Sequence, residues 1–576
     1  MKSLLLRRFG WIACVGLCGG AIARAAEPTI PERIVSGAKG ERLWEFCQRL
    51  SGFDFNGSVL VARDTHIVLL GAFGIADPRN GTPNTTRTLF STGSVTKQLT
   101  ATAVLELESK GKLSVQDPIS KYLDSVPADK QGITIHHLLT HSSGLPPSLG
   151  PDEEEIGRDS LVARALATPL LFEPGSAYDY SNVGYSLAAA IVEHASGKSY
   201  GDFMQTLWKR AALVSTGLHS MDVSGYEVAR SHNEAMGYPS QTDVPREAWH
   251  LVGNGGVLST PWDLYHWYRW LRSDNGQSKQ ARKEMFTPWM KEGEMSSHYG
   301  YGWVIDSSRL RGGELIWHNG GAMPHGWGCA LYHFVDDSLV VVVFTNRTMQ
   351  GRQPMDFIAR GLAQHYFDST LPLPPVVSDS VTLDSTALSG TWDVQEGLSL
   401  ELRVERGKLR VIPRGQAAVE ALFPFGEPQD LAAYNDRTET LIRLAARGQF
   451  DSAGQYMDMP PGESGTGFVS GWWNGLSSLG AFRDVEILGT QPGQAARTHA
   501  RLSFEQGERA VGFWWEREKC VGIGPSRDFF LEMVPQGPAA FASYDVATGD
   551  VTVAEFAGAR VLLDRGGSVL KATKRK

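Results

Sequence analysis

Residues 90–99 read Phe90-Ser91-Thr92-Gly93-Ser94-Val95-Thr96-Lys97-Gln98-Leu99, a loop that runs straight into a helix. Val95, Leu99, Ala103 and Leu107 recur every four residues, the spacing of a helix with one buried face. On that helix Ser94 and Lys97 stand at i and i+3, within side-chain reach of each other. A serine hydroxyl is a weak nucleophile until a neighbour takes its proton. A lysine can do so only when burial or nearby cations lower its pKa. Ser94 is therefore the candidate nucleophile and Lys97 the candidate base. The same spacing occurs at Ser36 and Lys39, Ser109 and Lys112, and Ser568 and Lys571. Ser36 lies just past the N-terminal apolar run, Ser109 begins the Lys110-Gly111-Lys112 break and Ser568 is in the basic tail, so all three read as surface coincidences.

Outward from this stretch, residues 59–61 and 67–71 read as two strands joined by a tight connection. Helical patterns dominate from about 94 to 290. Strands return at 301–305, 314–317, 329–334 and 339–344, and a helix near 355–367 closes the region. Strands at both ends with helices between predict an antiparallel sheet assembled from distant segments and covered by helices, an α/β (α+β) fold with a helical subdomain.

Two further elements carry chemistry. Tyr180-Ser181-Asn182 is the only Y-x-N in the chain, in a turn-rich loop before an alanine-rich helix. A tyrosine hydroxyl relays protons, and an asparagine amide can hold both a lysine and a substrate carbonyl. Alone, the triplet reads more simply as a packed loop tyrosine. Trp317-His318-Asn319-Gly320-Gly321 ends a strand. Glycines there let a substrate backbone approach, and a backbone N–H can complete an oxyanion hole. Alone, it reads equally well as a hairpin turn with an incidental histidine.

The order S-x-x-K, Y-x-N, H-x-G resembles the three active-site elements of the serine beta-lactamase and penicillin-binding-protein superfamily, nearest its class C lactamase and esterase branch. Residues 133–146, with Leu138-Leu139-Thr140-His141-Ser142-Ser143-Gly144-Leu145, and residues 253–264, with Gly253-Asn254-Gly255-Gly256, are similar to segments common in that family. The resemblance covers roughly residues 40–368. It implies that Ser94 is acylated, that Lys97 and Tyr180 share the proton work, and that Asn182, His318, Asn319, Gly320 and Gly321 bind substrate and its oxyanion. Two departures from the S-x-x-K, S-D-N, K-T-G set matter. Tyrosine stands for the middle serine, and His318 stands for the third-motif lysine. A histidine is largely neutral near pH 7, so strong binding of a substrate carboxylate is not expected. The chain has no G-x-S-x-G elbow as a rival nucleophile.

Composition bounds the rest. The 576 residues exceed one compact domain. A formal net charge of −8 argues against a nucleic-acid partner. Lys2, Arg7 and Arg8 precede an uncharged, mostly apolar run from Phe9 to Ala23, and Ala23-Arg24-Ala25 gives a small-x-small cleavage pattern. Residues 1–25 are thus expected to be a signal peptide of an exported, periplasmic or secreted protein. The run is too short for a stable membrane span. Cys47, Cys329 and Cys520 then remain, an odd number without a CxxC. One disulfide or three buried thiols are both open. His136, His137 and His141 lack an H-E-x-x-H pattern or an acid at ligand spacing, so no metal is expected, and no cofactor is called for. Thr260-Pro261-Trp262-Asp263 reads as a helix start.

Residues 41–368 form the expected hydrolase domain, and the prolines at 372, 374 and 375 mark a linker over 369–380. Residues 381–430 are expected to be a small β appendage. Residues 431–565 are expected to be an α+β domain that faintly resembles NTF2-like folds. Trp472, Trp473, Trp514 and Trp515 read there as core rather than as a pocket. The function expected is acyl transfer from an ester, amide, peptide or lactam carbonyl of a small-molecule or peptide substrate. The alternative is a non-catalytic penicillin-binding-protein-like binding or sensor protein, and a metallohydrolase is a distant third. Oligomeric state is not legible.

Overall fold

The computed structural model describes residues 29–232, 243–307, 313–321, 326–349, 353–378, 383–395, 398–423, 431–459, 464–491, 495–526, 530–565 and 567–575. The expected signal peptide, residues 1–25, lies outside them.

The elements that build the hydrolase domain are α1 (Gly37–Ser51), β1 (Gly57–Arg63), β2 (His66–Phe73), α2 (Thr96–Ser109), α3 (Asn182–Ser196), α4 (Pro261–Arg272), β3 (Val304–Asp306), β4 (Leu315–Gly321), β5 (Gly328–Phe334), β6 (Leu339–Thr345) and α5 (Met355–Phe367). A nine-stranded antiparallel sheet runs β2–β1–β6–β5–β4–β3 through its centre, with short two-residue strands at its edges. Strands from the two ends of the domain meet where β6 pairs β1, Val342 opposite Leu60. All seven residues of β6 are buried, as a continuous apolar run requires when both faces of a strand are covered. On one face Val341 and Val343 pack with α1 and α5, and on the other Val342 and Phe344 pack with α2, α3 and α4. Each such side chain contributes about 1.5–3 kcal/mol relative to leaving it in water.

Spacing alone predicts one buried face for α2, yet residues 96 to 107 are buried all the way round. The chain achieves this with small polar side chains that bond internally. Thr100 Oγ1 donates to the Gly253 carbonyl at 2.6 Å and Thr102 Oγ1 to the Gln98 carbonyl at 2.7 Å. The consequence is a lysine on this helix with no access to solvent. Thr260 caps α4, accepting from the Asp263 N–H at 3.1 Å with Pro261 in the first turn, as the sequence suggests.

The C-terminal region departs from the serial division. Strands β7 (Gly390–Gln395), β8 (Leu398–Glu405) and β9 (Lys408–Arg414) are not a separate appendage. They form one closed barrel with β14 (Leu531–Gly537), β15 (Ala540–Tyr544), β16 (Val551–Ala557), β17 (Arg560–Arg565) and β18 (Ser568–Lys574). β9 pairs β14 and β18 closes onto β7. Between β9 and β14 is inserted an α+β unit in which α6 (Ala432–Ala446) and neighbouring helices pack on a four-stranded sheet, β10 (Phe482–Gln491), β11 (Ala496–Phe504), β12 (Gly507–Glu516) and β13 (Lys519–Pro525). The boundary expected at 430 thus falls where the inserted unit begins, but the expected 431–565 domain joins that unit to barrel strands that belong with 390–414. Closure abolishes exposed strand edges, and the pairing of 408–414 with the distant 531–537 has no local sequence signature. Trp515 lies in the core of the inserted unit, with Trp472 and Trp473 packed against it. Trp514 turns to the sheet's other face, under the Arg497 guanidinium.

The barrel rests on the hydrolase domain. Val534, Tyr544 and Val546 join the core beneath α1 and α5, and Lys408 bridges Asp54 at 2.8 Å and Glu532 at 2.6 Å. The linker is pinned along α1, where Arg49 donates to the Pro374 carbonyl at 3.0 Å. Cys47, Cys329 and Cys520 are free and buried. Among the described residues no helix is long and apolar enough to cross a membrane.

Candidate active site

Ser94 sits in a 3-10 turn, Gly93–Val95, that leads into α2. Gly93 there has φ +49°, and a Cβ on it would stand 2.7 Å from the Gly321 nitrogen. One turn on, Lys97 Nζ lies 3.0 Å from Ser94 Oγ, 2.7 Å from Asn182 Oδ1 and 3.1 Å from the Asn254 carbonyl. Two carbonyl oxygens and the serine hydroxyl surround the amine, so that in its neutral form it donates to both carbonyls and keeps its lone pair for the serine. Burial pushes the Lys97 pKa well below that of an ordinary lysine, and the Asp152 carboxylate acts in the opposite sense. Its Nζ also lies 4.7 Å from the centroid of the Tyr180 ring.

Asn182 opens α3, whose cap is Ser181, accepting from the Gly184 N–H at 3.2 Å. The Y-x-N triplet thus owes its placement to a helix start, and Asn182 reaches Lys97 from the first turn. Burial pushes the Tyr180 phenol up, and the neighbouring Ser94 hydroxyl offsets this in part. At ordinary pH the phenol keeps its proton.

Strand β4 supplies the third element, with alternating outcomes. His318 and Gly320 face α2, while Asn319 faces α5. Gly320 lies against the nucleophile: a Cβ there would come within 2.2 Å of the Ser94 nitrogen. His318 is buried, its Nδ1 donating to the Asn319 carbonyl at 2.5 Å and its Nε2 accepting from the Tyr299 hydroxyl at 2.8 Å. Those partners fix the neutral tautomer. Burial, with Lys97 nearby, lowers its pKa to about 3. Asn319 does not join the site as expected. Strand alternation sends its side chain to the back of the sheet, where Nδ2 donates to Asp356 Oδ2 at 2.6 Å.

Asn254, Asp152, Tyr299 and His141 are the contributors that sequence reasoning did not assign to the site. Asn254 acts through its carbonyl, which no side-chain motif reveals. Asp152 lies in an acidic run, Asp152-Glu153-Glu154-Glu155, that reads as solvated surface. His136 and His137 serve locally: His136 Nδ1 meets the Tyr301 hydroxyl at 2.7 Å, and His137 completes a capping box with Thr134.

A family model described as Beta-lactamase matches residues 55–364, more than half of the chain. The chain belongs to the beta-lactamase family. Its match region holds Ser94, Lys97, the Tyr180 triplet and β4. Among curated relatives of this beta-lactamase-family chain, penicillin-binding protein 4* of Bacillus subtilis (strain 168) is 29% identical over 399 residues, 65% of this chain and 87% of that protein. The D-aminopeptidase of Brucella anthropi is 27% identical over 306 residues, 50% of this chain and 56% of that protein. The solved structure of an octameric penicillin-binding protein homologue from Pyrococcus abyssi matches with a TM-score of 0.53 at 18% identity, covering 85% of this chain and 98% of that one. That likeness of fold reaches beyond residues 55–364.

Proposed function

We propose that this chain is a serine hydrolase that works through an acyl-enzyme on Ser94. One observation carries the reading: an amine stripped of solvent, Lys97, stands 3.0 Å from Ser94 Oγ while two carbonyls hold its protons. In the first step the Ser94 O–H gives its proton to Nζ as Oγ bonds to the substrate carbonyl carbon. The tetrahedral oxyanion is held by the N–H groups of Ser94 and Gly321, donors of a kind worth about 3–4 kcal/mol in the transition state. The Lys97 ammonium, with the protonated Tyr180 phenol beside it, returns a proton to the leaving group. Water, deprotonated by the same amine, then releases the acyl group and restores Ser94. Asn182 orients Lys97 and the substrate carbonyl.

Neutral His318, with both ring nitrogens engaged, offers no charge to a substrate carboxylate. The reading therefore favours esters, amides or peptides that need no carboxylate contact. The D-aminopeptidase relative agrees with an amide substrate, and lactam hydrolysis is the less favoured branch. We also propose export, on the strength of the basic start, apolar run and Ala23-Arg24-Ala25. Fractionation with N-terminal sequencing tests this: absence of the protein from the periplasmic and medium fractions would refute export, and an intact Met1 on protein found there would refute cleavage.

The test of chemistry is covalent labelling. Incubation with a fluorophosphonate and mapping by peptide mass spectrometry is expected to find the adduct on Ser94, and Ser94→Ala to abolish both labelling and turnover of p-nitrophenyl esters and D-amino-acid amides. An adduct elsewhere would defeat the assignment.

A further inference from the structure

Behind the Tyr180-Ser181-Asn182 triplet stands one buried residue, His141, that touches three consecutive backbone or ring groups leading to it. Its carbonyl accepts from the Asp179 N–H at 2.9 Å. Its ring packs on the Tyr180 ring with centroids 4.2 Å apart. Its Nδ1 accepts from the Ser181 N–H at 3.0 Å. Asn182, the next residue, carries the oxygen that holds Lys97.

His141 is placed there against local preference. Its φ is +57°, in the left-handed region, where a side chain other than glycine is uncommon. Because Nδ1 accepts, the ring proton sits on Nε2. That atom is buried without a hydrogen-bond partner among the described residues, and the imidazole is packed among aromatic rings, its centroid 4.5 Å from that of Tyr299, 5.2 Å from that of Tyr185 and 5.9 Å from that of Tyr178. A strained backbone and an unmatched buried donor both oppose folding. A residue that only filled space would be better apolar. What histidine adds at this position is the acceptor for Ser181 together with a flat ring against Tyr180.

We infer that His141 is the positioning residue of the Tyr180-Ser181-Asn182 triplet, fixing the phenol and the Asn182 amide relative to Ser94 and Lys97 without touching substrate itself. The inference rests on the acyl transfer proposed for Ser94.

Two substitutions separate positioning from mere support of the fold. His141→Gly accepts the left-handed backbone without strain but removes the acceptor and the ring. His141→Asn tolerates the same backbone and puts Oδ1 where Nδ1 stands. Full-length wild type and both variants are compared by fluorophosphonate labelling rate, and by deuterium uptake over residues 179–182. With a cooperative melt retained, His141→Gly is expected to label about 10- to 100-fold more slowly, the scale of a small misplacement of reacting groups, and to take up deuterium faster over the triplet. His141→Asn is expected to recover labelling to within about fivefold of wild type as the Ser181 N–H regains an acceptor. Wild-type labelling by His141→Gly, or equal slowing in both variants, overturns the inference while leaving acylation of Ser94 intact. If wild type itself fails to label at Ser94, acyl transfer falls first. Unchanged uptake in His141→Gly would then overturn the anchoring role as well.

Discussion

A Cβ placed on Gly320 would stand 2.2 Å from the Ser94 backbone nitrogen. Strand β4 and the start of α2 are therefore in backbone contact, and it is this contact that brings an oxyanion-holding strand to the nucleophile. Gly320→Ala must push the two apart. Overpacking of this kind costs about 1–3 kcal/mol, and labelling of Ser94 is expected to fall about 100-fold as the donors move. Thermal melts and labelling kinetics check both parts. A Gly320→Ala protein that labels at the wild-type rate would show that the strand does not set the site.

Lys97→Met keeps the buried volume and removes the amine. Labelling of Ser94 is expected to drop by about 10²–10⁴, the range for loss of a general base, whereas Tyr180→Phe removes only the hydroxyl and is expected to cost less. The reverse ranking would transfer the base role to Tyr180.

Burial lowers the Lys97 pKa, and the Asp152 carboxylate partly restores it. The base works as the free amine, so labelling slows as pH falls and the amine is protonated. Asp152→Asn removes the group that favours the ammonium. The acidic limb of the pH–rate profile is then expected to shift to lower pH, a direction opposite to the one a lost structural contact would give through unfolding.

His318 has its pKa depressed from 6.5 to about 3. Between those values the unfolded chain binds a proton that the folded site refuses, so stability is full above pH 6.5 and declines as pH falls toward 3. His333 and His499, also lowered to about 3 by burial, act in the same sense. Urea midpoints measured across this window should fall with pH in the wild type and less steeply in His318→Gln. An identical slope in the two would mean that His318 is not a buried neutral imidazole.

Asp54 ties the barrel to the hydrolase domain. Burial alone would raise its carboxyl, but Arg347 and Lys408 hold it below the usual value, at 3.1 Å and 2.8 Å. Asp54→Ala leaves Lys408 with Glu532 alone and is expected to cost about 1–3 kcal/mol, less than a fully buried pair would. Limited proteolysis should then cut the 369–378 linker sooner. Unchanged cleavage would place the hold between the units in the apolar contacts of Val534 and Tyr544 instead.

What the sequence by itself determined was local. The S-x-x-K turn, the Y-x-N helix start, the β-branched run of β6 and the Thr260 cap are each written within a few consecutive residues, because helix and strand periods and caps are short-range physics. Only the tertiary structure decided the rest. It turned Asn319 away from the site by strand alternation and buried α2 on every side. It also recruited the Asn254 carbonyl and His141 from loops far along the chain, and closed a barrel from strands separated by more than a hundred residues. These outcomes depend on which distant surfaces meet, and burial by those surfaces, not the identity of Lys97, makes its amine a base.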